Sequence, residues 1–253
     1  MKTKFELRHA VRCLASLGCC VACLAQAAPT GSLSLASVSG GAINISASRI
    51  DFALPQNPSG GAAGRGDFAD GGATTIVYSG GVMTAATNPY GSIADIDVAS
   101  ASIVNFIQFY VVLAPPVPPG TGALQVNPAF DLTALLPGGP AQGALGNCAG
   151  VTAVGVSCSP LLSAGGGSPT VSPLVLTNHG TFTTVALGMA LTAHDAVGNN
   201  ALWAGGLTTR VTSVAGKRLT PDAIQTLLNN GGTISGTYSA TFASPAPPMP
   251  IIP

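Results

Sequence analysis

Charge is what this chain has least of: Lys, Arg, Asp and Glu together make up 7% of its 253 residues. The only adjacent basic pair is Lys217-Arg218. A surface that grips nucleic-acid phosphates needs clustered Lys and Arg, so no nucleic-acid partner is expected. Aromatic residues are 5% of the chain, with a single tryptophan, Trp203. That is a poor supply for the aromatic girdles of a transmembrane β-barrel. Helix-forming Leu, Lys and Glu give way to Ala, Ser, Thr and Val, with 33 Gly and 20 Pro. Such a composition works against helices and punctuates many short strands. The sequence also has no H-E-x-x-H, no Walker loop, no G-x-S-x-G elbow and no G-x-G-x-x-G after a strand, the local signatures of zinc hydrolysis, phosphate cradling, serine hydrolysis and dinucleotide binding.

The first residues set the expected compartment. Lys2, Lys4, Arg8 and Arg12 precede an apolar span over 13–24, and Ala25-Gln26-Ala27 has the small-x-small form that signal peptidase accepts. Residues 1–27 therefore read as a signal peptide. The apolar span falls short of the roughly 20 residues of a membrane-spanning helix, so no transmembrane anchor is expected in this sequence. A competing lipoprotein reading, with Cys23 acylated, has a poor approach in Cys20-Val21-Ala22. The expected destination is extracellular or the cell surface, with the periplasm as the other exported compartment. Four of the six cysteines fall in the leader, leaving Cys148 and Cys158. An even pair in an exported chain reads as one disulfide. From residue 28 onward five basic residues face eight aspartates, a formal charge of −3.

Period-two patterns recur through what remains. Leu33, Leu35 and Val38 lie in the run 32–40, and after Gly40-Gly41 a second run follows over 42–54, the pattern of a hairpin. The near-continuous apolar run 103–116 ends in prolines and reads as a strand buried on both faces. Two strands flank a turn at Asn178-His179-Gly180, the second with Val185, Leu187, Met189 and Leu191 on one face and Ala186, Gly188 and Ala190 on the other. One segment breaks the pattern. Thr220 is placed as an N-cap, Pro221 and Asp222 open a helix, Ile224, Leu227 and Leu228 follow at helical spacing, and Gly231 ends it. The expected fold is all-β: a two-layer sandwich over 28–243, jelly-roll or immunoglobulin-like in topology, with one short helix near 221–230 before the last strand. Residues 244–253 read as a Pro-rich tail.

Three stretches carry a resemblance: Gly66-Asp67-Phe68, the close cysteines of NCAGVTAVGVSC (147–158), and above all LTPDAIQTLLNNGGTISGTYSATFASP (219–245). They resemble exported, β-rich, charge-poor bacterial proteins with C-terminal sorting tails of the PEP-CTERM or IPTL-CTERM type. Those tails continue into an apolar helix and basic residues, which this chain lacks after its prolines. The resemblance implies a surface or extracellular-matrix protein and brings no catalytic residues with it.

Candidate sites are few. Arg65-Gly66-Asp67 in GRGDFADGG (64–72) matches an adhesion tripeptide, and Asp67 with Asp70 offers hard oxygens for calcium, the one cofactor the sequence suggests. The favoured reading of 64–72 is a Gly-rich turn. Asp95 and Asp97 sit two apart, where a strand would put both carboxylates on one side, for acid–base work or a cation; a solvated strand face is the favoured reading. His194-Asp195 would serve a hydrolase only with a nucleophile assembled in space. Trp203, with Tyr78, Tyr90 and Tyr110, could form a sugar-stacking platform; a core position is the plainer reading. The expected function is non-catalytic: a secreted or cell-surface structural or interaction protein, with extracellular polysaccharide or matrix proteins as partners. A carbohydrate-binding module and a secreted hydrolase are the alternatives.

Overall fold

The computed structural model describes residues 28–38, 42–53, 64–79, 81–85, 90–99, 102–110, 124–163, 168–214 and 217–245. The expected signal peptide and all of the tail beyond residue 245 lie outside the described residues. In chain order the strands are β1 (Thr30–Ser37), β2 (Ala42–Ile45), β3 (Arg49–Ala53), β4 (Arg65–Asp70), β5 (Thr75–Tyr78), β6 (Gly81–Thr84), β7 (Tyr90–Ala94), β8 (Ile96–Asp97), β9 (Ile103–Tyr110) and β10 (Leu124–Leu135). There follow β11 (Ser157–Cys158), β12 (Leu161–Leu162), β13 (Thr170–Val171), β14 (Leu174–Asn178), β15 (Thr183–His194), β16 (Asn200–Val211), β17 (Ser213–Val214) and β18 (Lys217–Arg218). Helix α1 (Pro221–Asn229) precedes β19 (Ile234–Gly236) and β20 (Tyr238–Ala243).

Eight of these strands form a closed antiparallel barrel in the order β10-β9-β7-β4-β1-β20-β16-β15, and β15 pairs back onto β10. The all-β expectation stands, but the two-layer sandwich does not. Local alternation is the same in either architecture, since each needs one apolar face per strand. Closure depends on β10 finding β15, which places Ala129 opposite His194 and Leu135 opposite Met189. The expected hairpin between β1 and β2 is also absent. β1 pairs with β20 and β4 in the barrel and with β5 outside the ring of eight, whereas β2 joins a separate sheet, β19-β2-β3-β8. The real hairpin is β2–β3, closed at Ser46–Arg49 by Ser46 N donating to Arg49 O at 2.9 Å. This four-stranded sheet covers the end of the barrel where β1 and β7 finish and β20 begins, and Ile43, Ile45, Ile50, Phe52, Ile96 and Ile234 are buried beneath it.

An eight-stranded barrel has an interior just wide enough for side chains, and here aromatic rings fill it. Phe68, Phe109, Phe130 and Trp203 form a chain of edge-to-face contacts with centroids 5.6, 6.3 and 5.1 Å apart. Phe52 from the covering sheet meets Phe106 at 6.5 Å and Tyr238 at 5.2 Å. The rings demand room. A Cβ on Gly66 would lie 2.4 Å from the Phe52 carbonyl oxygen, and one on Gly205 would lie 1.9 Å from that of Thr241. Glycine at these positions lets the backbones approach. Two polar groups inside are matched: Trp203 Nε1 donates to Pro29 O at 3.0 Å, and the Tyr238 hydroxyl to Asp67 O at 3.1 Å. Burial, then the Asp67 charge, pushes the Tyr238 hydroxyl well above its ordinary range.

Outward faces reverse this chemistry. β15 alternates between buried Val185, Leu187, Met189 and Leu191 and outward Ala186, Gly188, Ala190 and Thr192, while β16 turns Ala204, Gly206, Thr208 and Arg210 outward. Apolar inside and small or polar outside is the opposite of a lipid-facing barrel wall. Among the described residues no helix is long and apolar enough to cross a membrane.

Helix α1 forms as its capping residues dictate. Thr220 accepts from Ala223 N at 3.3 Å, Pro221 occupies the first turn, and Gly231 follows the end with φ +76°. Ile224 and Leu228 are buried. The polar side holds the cysteine loop. Gln225 Oε1 accepts from Cys148 N at 3.0 Å and Leu161 N at 2.9 Å, Asp222 accepts from Gly150 N at 2.8 Å, and Asn229 accepts from Ser163 N at 3.1 Å. Within that loop Cys148 and Cys158 stand at disulfide distance, with Cα atoms 5.2 Å apart.

The barrel filling can be tested at its largest residue. Trp203→Ala removes a fully buried ring, and equilibrium urea unfolding is expected to show a loss of about 3–5 kcal/mol. A loss below about 1 kcal/mol would mean that the ring does not fill the core.

Candidate functional site

A cleft of about 390 Å³ opens where the chain leaves the barrel for the covering sheet, lined by Ser48, Arg49, Gly64, Asp95 and Asp97. Asp95 interrupts the run between β7 and β8, and its amide donates to Gly64 O at 2.8 Å. That break lets its carboxylate reach β3: Oδ1 accepts from Phe52 N at 2.9 Å, and Oδ2 pairs with the Arg49 guanidinium. Asp97 lies opposite Arg49 in register and accepts from Ala99 N at 2.9 Å. Partial burial, followed by the Asp95 charge, raises the Asp51 carboxyl above its ordinary value. Asp95 and Asp97 both line this cleft, but Asp95 stands between strands and has both oxygens engaged. Among the described residues no group of three His, Cys, Asp or Glu side chains is placed to hold a metal ion.

The stretch 64–72 is not the turn expected from its glycines. Residues 65–70 are β4, a strand in the barrel wall, and the chain turns only on either side of it, at Gly64 and at Gly72. Arg65 Nε donates to Ser92 Oγ at 2.8 Å, and its Nη2 donates to Asn105 O at 2.9 Å and to Ser92 O and Phe106 O at 3.2 Å. The arginine of the tripeptide therefore clamps β7 and β9 to β4. Asp67 is buried at 3% exposure, while Asp70 accepts from the Thr74 hydroxyl. Residues three apart on a strand point to opposite faces, so Asp67 and Asp70 do not converge on one ion.

Trp203 is 2% exposed, edge-on to Phe130. Its ring belongs to the core and offers no face for a sugar. His194 and Asp195, adjacent in sequence, turn to different partners. His194 Nε2 lies 3.3 Å from Asp131 Oδ1, which also accepts from Asn105 N at 2.6 Å. Asp195 instead holds the β15–β16 turn, accepting from Val197 N at 3.1 Å and from Asn199 N at 3.0 Å. Burial alone would raise its carboxyl, but hydrogen bonds from Ser79, the Asn199 side chain and these amides outweigh that and lower it to about 2. His179 stacks on Phe182 with centroids 4.7 Å apart, and the Arg210 guanidinium lies 3.6 Å from the same ring centroid.

Two kinds of residue escaped the sequence reading. The contacts of Asp222, Gln225 and Asn229 were foreshadowed by their spacing, which puts them along one side of a short helix. The stack of His179, Phe182 and Arg210 left no local signal, because Arg210 arrives from the next strand.

Two pH dependences follow from the carboxyl groups. The Asp195 carboxyl is lowered by folding, so its stabilisation is present above the ordinary carboxylate range and is lost as pH falls towards about 2. Asp195→Asn is expected to cost about 1–2 kcal/mol near neutral pH, with wild type and variant converging in acid; a pH-independent difference would refute the assignment. The Asp51 carboxyl is raised by folding, so ionising it disfavours the fold as pH rises through that raised range. Asp51→Asn should gain about 0.5 kcal/mol or less near neutral pH and nothing below the carboxylate range, measured by thermal melts. No known protein family, no curated protein and no solved structure matches this chain.

Proposed function

We propose that the chain is an exported protein of the cell surface or extracellular matrix that works through its outer surface, by interaction and without catalysis. The observation that carries this reading is the filling of the barrel. Where small barrels hold a ligand they keep the interior open; here Phe68, Phe106, Phe109, Phe130, Phe242 and Trp203 occupy it. The groups that sequence alone offered for chemistry serve structure: Asp95 bonds Phe52 N and Arg49, Asp195 bonds its own turn, and His194 faces Asp131. A cysteine pair at disulfide distance supports an oxidising compartment. The resemblance to exported proteins with sorting tails belongs to the same reading.

Fractionation of the native host tests it, with intact mass measured on each fraction before and after reductant. Recovery from the medium or cell envelope, with a mass that rises by two hydrogens on reduction, is the expected result. Recovery from cytosol with both thiols free would overturn it.

A further inference from the structure

Two of the five basic residues from position 28 onward are engaged by partners within the chain. Arg49 pairs with Asp95, and Arg65 is held by the Ser92 hydroxyl and three backbone carbonyls. The other three, Arg210, Lys217 and Arg218, fall in the span 210–218, where β16 ends and the β17–β18 hairpin folds back. Arg210 stands exposed on the outer face of β16, opposite Thr184 of β15, with its guanidinium carbon 3.6 Å from the Phe182 centroid. Arg218, also exposed, donates Nη2 to Asn178 Oδ1 at 3.2 Å. That oxygen belongs to a fully buried side chain and also accepts from Gly180 N at 2.9 Å. Two guanidiniums from different elements are thus anchored on one short turn, 178–182, which itself presents exposed His179.

Among the described residues neither Arg210 nor Arg218 forms an ion pair. Gathering uncompensated cations on one turn opposes folding through mutual repulsion, and a bound anion would remove that cost. A guanidinium held over a ring through its central carbon can still offer N–H groups, and its fork matches carboxylate or sulfate oxygens in a bidentate way. Resting on the surface reading above, we infer that this turn is a docking surface for an anionic polysaccharide, whose repeated acid groups can engage both guanidiniums at once. Nucleic acid fits it less well. Single strands bind by stacking bases on open aromatic faces, and the Phe182 ring is already stacked with Arg210 and His179.

Affinity electrophoresis of the full chain tests the inference, using gels loaded with polygalacturonate, dextran sulfate or neutral dextran, and solution competition by poly-dT. Retardation by a polyanion but not by neutral dextran, weakening as salt rises, is expected. Polygalacturonate alone active would assign carboxylate, and dextran sulfate alone would assign sulfate. Arg210→Ala and Arg218→Ala should each weaken binding about tenfold, and Arg49→Ala should leave it unchanged. Arg210→Lys keeps the charge and loses the fork, so it should bind more weakly than wild type at an unchanged melting temperature; that comparison decides the matter if an alanine variant folds poorly. No retardation by either polyanion, undiminished retardation of the Arg210→Ala/Arg218→Ala double variant, or preference for poly-dT would overturn the inference. Any of these results, with the protein still recovered from medium or envelope, would remove this docking surface and leave the proposed function standing.

Discussion

The antiparallel pairing of β10 with β15 is the contact on which the rest depends. It joins strands far apart in sequence and removes both free edges from an eight-stranded sheet. Edges are a liability for a protein with few charges to guard them, and closure answers that within one chain. β15 makes closure feasible by being long: Leu174–Asn178 of β14 pair with its first residues, and β10 pairs with its last, so one strand serves the barrel and its outer branch. At β9 the chain adapts by a kink. Asn105 takes φ +54°, and beyond it Phe106 and Ile107 are both buried. The Asn105 amide is fixed by Asp131, a residue of the neighbouring strand β10.

Closure also decides where scarce residues go. A small barrel cannot be filled by alanine and valine alone, and the few aromatics are spent there. Phe52, Phe68, Phe106, Phe109, Phe130, Phe242 and Trp203 are nearly or fully buried. Rings at this density require backbones without side chains beside them, which is where Gly66 and Gly205 stand. Charges follow a similar economy. Arg65 ties strands together and Arg49 locks the first residue of β3 to Asp95, while Arg210 and Arg218 stand exposed without an ion pair among the described residues.

Much of the local structure was legible in the sequence. The strands around Asn178 and His179, the alternation of Val185 to Leu191, and the helix from Thr220 to its terminating glycine rest on near-neighbour patterns that the structure reproduces. The stretch at 64–72 misled because its glycines were read for conformational freedom. Gly66 is there for close approach to Phe52, a requirement set by a residue of another strand. His194 and Asp195 are adjacent in sequence, yet strand geometry sends their side chains to different partners, which adjacency alone does not reveal.

By itself the sequence determined an all-β chain with one capped helix, a pair of cysteines close enough to meet, and the apolar face of strands such as β15. These depend on spacing along the chain, on backbone propensity and on short loops. Only the tertiary structure decided that the strands close into a barrel, that Trp203 and the phenylalanines share its interior, and that Arg210 and Arg218 reach the same turn. Strand partners are chosen by long-range complementarity of whole faces, and a period of two residues specifies a face without specifying what it will meet.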